Sequence, residues 1–200
     1  MNKKTITILA IAIVLVGIGI FIQKSYFPNE GDQSKILRTT GSAIIDLDNT
    51  DPNKIKIDKT SSSFNFEGYS IAKNEIGTFD DFEGNILLEN NNIVGIEGIV
   101  NVSSVNTGKV GLDKHLRNDD FFDVAVYPEL SFKTTSLNEE NGQKIMTGVL
   151  TFRGISKEVG FPVVIEDNKV SANFLLDTTP FEMKYAGVNK EVRIEFSFSD

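Results

Sequence analysis

From Lys54 to the C-terminus the chain alternates apolar and polar residues with a period of two, interrupted only by short turn clusters and one longer stretch. Successive side chains of a strand point to opposite faces of a sheet, so this pattern predicts strands with one apolar and one polar face. Ile55 and Ile57 alternate with Lys54, Lys56 and Asp58, and Phe64 and Phe66 with Ser63, Asn65 and Glu67. Thr78 to Glu89 carries Phe79, Phe82, Gly84, Ile86 and Leu88, and the odd step at Asp80-Asp81 reads as a bulge. Asn90-Asn91-Asn92 makes a turn, and Ile93 to Val105 then reads as one long strand. Further strands follow over Glu129–Leu137, Lys144–Arg153, Lys157–Glu166, Val170–Leu176 and Val192–Phe198, with turns at Asn138–Gly142, Gly154 and Asp167-Asn168. No crossover helix of a dozen residues fits between them, so the sheet is mainly antiparallel. About eight strands result. A closed barrel and a two-sheet sandwich both satisfy the pattern, and an eight-stranded barrel would abolish edges and enclose one small ligand.

One stretch does not alternate: Val102 to Pro128. Leu112 and Leu116 stand four apart with the chain's only histidine, His115, beside them, which predicts a short helix near 112–120. Lys114, Arg117, Asp119 and Asp120 face water on it, and Arg117 is placed to pair with Asp113 or Asp120. His115 among Asp113, Asp119, Asp120 and Asp123 invites a metal or acid–base reading, but a histidine without a partner histidine or cysteine makes a weak ligand set. No nucleophile, zinc or phosphate-loop motif is present, so no catalytic residue and no metal ligand is assigned. Two roles stand open for the stretch. It caps and plugs the β domain with Phe121 and Phe122, or it sets Lys114, His115, Arg117, Phe121 and Phe122 at a mouth where a polar headgroup is met.

The aromatic choice narrows what the interior is for. There are 15 Phe, 4 Tyr and no Trp. Phenylalanine brings large apolar surface with no polar handle. Alternation puts Phe64, Phe79, Phe132, Leu150, Phe152, Phe161, Val163, Phe174, Ile194 and Phe196 on inward faces, as the lining of a packed core or of a greasy lumen. Gly95, Gly98 and Gly148 would leave space there. The same alternation points Lys133, Asn173, Arg193 and Glu195 outward.

Upstream, Thr5 to Ile22 is an uncharged apolar run of 18 residues behind Lys3 and Lys4. As a helix rising ~1.5 Å per residue it spans roughly 27 Å, close to the ~30 Å hydrocarbon core. An uncleaved membrane anchor over residues 1–24 is the favoured reading and a cleaved signal peptide its rival, because the A-x-A-like cleavage pattern is missing. Both put the remainder outside the cytoplasm. Residues 25–53, rich in Asn, Asp, Gly and Pro, read as a linker in which Ala43–Leu47 could add a strand, and 54–200 as the β domain. Beyond residue 24 the chain has 17 basic and 28 acidic residues, a balance that argues against nucleic acid and anionic lipid as partners. Cysteine is absent, so disulfides and thiolate chemistry are excluded. Oligomeric state is not encoded legibly.

Three ordered segments carry a resemblance. They are Gly77-Thr78-Phe79 through Phe82-Glu83-Gly84; Ser104-Val105-Asn106-Thr107-Gly108 through Tyr127-Pro128, which includes DKHLRNDDFF; and Gly148 through Val159, which reads GVLTFRGISKEV. Together they resemble the YceI-like family over roughly Ile57 to Phe198. The resemblance implies an extracytoplasmic, all-β, antiparallel eight-stranded lipocalin-like barrel, preceded here by an N-terminal transmembrane helix, that holds a polyisoprenoid chain. It implies a binder with no cofactor other than that lipid. Two departures stand out: Leu112 occupies a position where the family often has Arg, and Asp177-Thr178-Thr179-Pro180-Phe181-Glu182 lacks the family's Arg and following Gly. A quinone or another neutral-headed lipid therefore stands beside a prenyl phosphate as the expected guest. The alternatives are an interaction module with a self-filled barrel and a hydrolase or isomerase using His115.

Overall fold

The computed structural model describes residues 45, 47, 51–70, 73–183 and 188–200. The Thr5–Ile22 run and almost all of the 25–53 linker lie outside these residues. Among the described residues no helix is long and apolar enough to cross a membrane.

Among the described residues eleven antiparallel strands, rather than eight, form one curled sheet, a half-barrel. In chain order they are β1 (Lys54–Lys56), β2 (Ser63–Ser70), β3 (Asn74–Phe79), β4 (Phe82–Glu89), β5 (Asn92–Asn101), β6 (Val105–Asn106), β7 (Glu129–Glu140), β8 (Gln143–Phe152), β9 (Ile155–Glu166), β10 (Lys169–Asp177) and β11 (Val188–Ser199). Among the described residues a single α-helix, α1 (Val110–Leu116), interrupts them. The spatial order is β1-β4-β5-β7-β8-β9-β10-β11-β2-β3-β6. The expected closed barrel is thus not closed by hydrogen bonds: β1 and β6 are the outer strands, and no ladder joins them among the described residues.

The extra strands arise where the local pattern was read as continuous. Thr78–Glu89 is not one bulged strand. Asp80-Asp81 is a corner at which the chain leaves β3, paired with β2 and β6, and enters β4, paired with β1 and β5. Polar groups hold that corner: Asn106 donates to Asp80 Oδ2 at 2.8 Å, the Asp81 amide donates to Ser104 Oγ at 3.0 Å, and Asn101 Nδ2 donates to Asp81 Oδ2 at 3.1 Å. Ile93–Val105 likewise breaks after Asn101 into a 3-10 turn at Val102–Ser104 before β6. The helix is shorter than expected, because beyond it the chain folds back: Phe122 N donates to Leu116 O at 3.0 Å and Asp123 takes φ +51.

Tight turns fix the remaining ladders. Asn90-Asn91, Asn141-Gly142 and Arg153-Gly154 each have positive φ at both central residues, the type I′ geometry that matches strand twist. The resulting register sets Phe132 opposite Leu150, Met146 opposite Phe161 and Phe174 opposite Ile194 on the inner face. The outer face carries the polar set. Arg193 donates to Tyr69 Oη and Asn173 Oδ1, both at 2.9 Å, and Glu195 and Asn173 are exposed. A one-residue slip would exchange these faces, so burial of the phenylalanines enforces the register.

One buried charge lies on the face of Lys133. Glu97 is 1% exposed, with Lys54 Nζ at 2.8 Å from Oε1, Lys133 Nζ at 3.1 Å from Oε2 and Asn85 Nδ2 donating at 3.2 Å. Burial pushes its carboxyl up, but the three donors and the Lys133 charge outweigh this and hold it below the ordinary glutamate value.

Candidate functional site

An apolar cavity of ≈ 100 Å³ lies inside the curl. Seven of the ten residues expected inside border it: Phe64, Phe132, Leu150, Phe161, Phe174, Ile194 and Phe196. Phe79, Phe152 and Val163 are equally buried, at 4–6% exposure, but do not border it. The reason is position along the axis. Phe79 and Phe152 turn toward the helix and meet Phe122, each at a ring-centroid distance of 5.8 Å, and Phe152 also meets Phe181 at 5.8 Å. With Phe66 these rings form a solid aromatic floor beneath α1. Val163, like Ile86, Met146 and Val170, is 0–4% exposed and belongs to the same packed hydrophobic core.

Sequence reasoning missed other lining residues, among them Ile57, Phe82, Val100, Leu130, Leu176 and Phe198. Several carried the right signal, since they are in phase with residues that were named. Phe82 and Phe198 stand 5.6 Å apart between strands that share no ladder, a juxtaposition local periodicity does not reveal. Stacked rings narrow the cavity: Phe161 lies on Phe174 at 4.3 Å and 5°, and Phe196 on Phe198 at 4.6 Å and 14°. The glycines expected to leave room admit neighbours instead. A Cβ at Gly148 would fall 2.4 Å from the Phe132 ring and 2.5 Å from Lys133 O, and one at Gly95 would fall 2.6 Å from Thr134 Cβ.

The five residues expected at a mouth lie elsewhere. None borders the cavity. Arg117 donates from Nε to Ser103 O at 2.8 Å and from Nη2 to Val105 O at 2.6 Å, so its guanidinium ties the loop to the 3-10 turn and β6. Asp113 meets Arg117 through the backbone, its carbonyl accepting from Arg117 N at 3.2 Å, while its carboxylate bonds elsewhere. That carboxylate accepts from Thr107 Oγ1 at 2.6 Å and from Thr107 N at 2.8 Å, which holds it below the ordinary aspartate value. His115 stands half exposed against the Phe121 ring at 4.9 Å, with Asp120 Oδ2 at 3.9 Å from Nδ1, and Lys114 is exposed. Phe122 is buried in the aromatic floor. Arg153, unremarked in the sequence, donates to the carbonyls of Phe121 and Asp119 and lies 5.8 Å from the Tyr127 ring. The SVNTG-to-YP stretch is therefore a clamp of side chains on backbone, and no cation on it reaches the cavity.

Among the described residues no group of three or more His, Cys, Asp or Glu is placed to hold a metal ion. What the interior offers chemically is apolar volume bounded largely by aromatic rings.

Comparison with known proteins places this geometry. Residues 55–199 match the model of the YceI-like domain. Protein YceI of Salmonella arizonae and Protein YceI of Salmonella paratyphi B are each 32% identical over 170 residues, covering 81% of this chain and 80% of theirs. The crystal structure of Burkholderia cenocepacia BcnA superposes with a TM-score of 0.66 at 19% identity, over 72% of this chain and 99% of that one. A polyisoprenoid binding domain from Saccharophagus degradans, implicated in plant cell wall breakdown, superposes with a TM-score of 0.57 at 15% identity, over 72% and 95%. The matched span of residues and the identity to these relatives, together with the curled antiparallel sheet and helix α1, make this chain a member of the YceI-like family.

Proposed function

We propose that this protein is a lipid-binding protein that holds an isoprenoid-type chain inside its curled sheet. The observation that carries the reading is the cavity wall. Six strands turn Phe64, Phe132, Leu150, Phe161, Phe174 and Phe196 onto one axis, and apart from Glu83 and Glu97 the residues bordering the cavity are apolar. Each buried methylene of a guest contributes about 0.8 kcal/mol, so even a partly enclosed chain is held firmly. The likeness to a polyisoprenoid binding domain supports the choice of guest. Binding rather than catalysis fits an interior that is overwhelmingly apolar, and His115 lies outside the cavity lining.

A cavity of ≈ 100 Å³ is smaller than the roughly 300–1,000 Å³ of ordinary ligand sites. That observation favours a second reading, a self-filled interior. The two differ in whether the stacked rings swing aside. Organic extraction of the purified full-length chain followed by mass spectrometry decides: a stoichiometric isoprenoid alcohol, phosphate or quinone supports the first reading, and a lipid-free extract supports the second. In the reading we favour, residues 1–24 anchor the domain to a membrane and the sheet lies on its extracytoplasmic side. The supports are the length and flanking charges of Thr5–Ile22.

A further inference from the structure

Outside the cavity lining, the rings of Phe79, Phe122, Phe152 and Phe181 pack on one another, and Met146, Val163 and Val170 of β8–β10 are buried. The cavity's weak side is a seam. No ladder joins β4 to β2 or to β11 among the described residues, and there the wall consists of Phe82 from one side and Phe64 and Phe198 from the other. The link between β1 and β2, residues 57–62, crosses this seam as a strap. Ile57 N donates to Gly84 O at 2.9 Å, Asp58 N to Ser199 O at 2.9 Å, and Lys59 Nζ reaches Asp81 Oδ1 at 2.8 Å.

A second pocket, polar and of ≈ 320 Å³, lies beside the seam and is lined by Lys59, Asp81, Phe82, Glu83, Ile99, Asn101, Pro128 and Glu129. Phe82, Glu83 and Ile99 border both spaces. Its one cation, Lys59, is matched by Asp81, while Glu83 and Glu129 form no ion pair among the described residues. The pocket is therefore net negative.

We infer that the guest's polar end sits in this seam pocket, past Phe82, and that the pocket admits an uncharged oxygen-bearing headgroup and rejects a phosphate. The inference rests on the lipid-binding reading above and adds where the head lies and what class it belongs to. Asn101, the Lys59 ammonium and local backbone supply hydrogen bonds to a hydroxyl or carbonyl oxygen. A diphosphate placed there would face the carboxylates of Asp81, Glu83 and Glu129, and like charges at close range suppress a wrong partner strongly. The basic residues of the helical stretch offer no rival site on the cavity, since Arg117 and Arg153 are bound to backbone carbonyls.

The test titrates the full-length chain in detergent with two probes that share a C20 tail, geranylgeraniol and geranylgeranyl diphosphate. The wild type is expected to bind the alcohol at least tenfold more tightly. Glu83→Lys combined with Glu129→Lys, two exposed positions, is expected to cut that ratio tenfold or more by tightening diphosphate binding. Glu139→Lys with Glu140→Lys, an equal charge change at the β7–β8 turn, should leave the ratio unchanged. A diphosphate preference in the wild type, or the same ratio in the seam variant, overturns the seam pocket while leaving lipid binding intact. If neither probe binds, the lipid-binding reading fails and this inference with it.

Discussion

Glu97 shows how a single residue ties the outer face of the sheet together. It bridges β1 to β7 through Lys54 and Lys133 while sitting on β5, with Asn85 of β4 as a further donor. Replacing it with Gln keeps the shape and removes the charge, and loss of charge-assisted bonds in a buried site costs about 1–3 kcal/mol. The expected result is a lower urea midpoint with an unchanged slope. The pH dependence has a definite sign. The folded carboxyl titrates below its unfolded value, so its contribution is full above about pH 4.3 and is lost as pH falls from there through the folded value. The difference in stability between wild type and Glu97→Gln should therefore shrink on acidification across that window and hold steady above it. Phe161 makes the complementary case inside. It is 4% exposed and touches Phe132, Phe174 and Phe196. Phe161→Ala should cost about 3 kcal/mol in delipidated protein, the low end for such truncations, because the space beside it is already partly open. Loading with geranylgeraniol should recover part of that loss by mass action. An equal deficit in both forms would mean that the ring faces no guest.

At the scale of elements, what was legible followed from period and turn chemistry. β7 to β11 lie within a few residues of where alternation put them, because each is long and β7 to β10 are joined by two-residue turns. Asn138–Glu140 read as turn yet belongs to β7, since Asn141-Gly142 alone reverses the chain. The corner at Asp80-Asp81 was not legible. Its partners Ser104 and Asn106 are more than twenty residues away, and a local phase shift between Phe79 and Phe82 looks the same whether the strand bulges or changes ladders. The helical stretch was legible as an element and not as a function, because basic residues look alike in sequence whether they meet a ligand or a carbonyl. Arg117→Ala separates the two. As a clamp, its loss should destabilise by about 2 kcal/mol, accelerate amide exchange in β6 and α1, and leave lipid affinity untouched. Weaker binding of a phosphate-headed lipid at unchanged stability would return Arg117 to the headgroup role.

On the scale of the whole molecule, the domain and the N-terminal run divide the work by charge. Beyond residue 24 the balance is 17 basic against 28 acidic residues, so the domain is repelled from anionic lipid surfaces rather than drawn to them. A protein that collects an apolar guest must nonetheless stay near the bilayer that dissolves it. In the proposed reading Thr5–Ile22 supplies that proximity alone, by burying an uncharged run of 18 residues. Among the described residues the sheet begins at Lys54. Deleting Met1–Lys24 should therefore move the protein quantitatively from the membrane pellet to the soluble fraction, in low and high salt alike, with the same urea midpoint. It should also slow lipid loading from vesicles while leaving equilibrium affinity for a detergent-solubilised guest unchanged, because only the encounter with the bilayer is lost. A deleted form that still sediments with membranes would mean that the sheet itself, through its seam or the exposed Val110 and Val126, makes the contact. A mature chain starting near Ser25 by N-terminal sequencing would instead make the run a cleaved signal, and the protein a diffusing carrier.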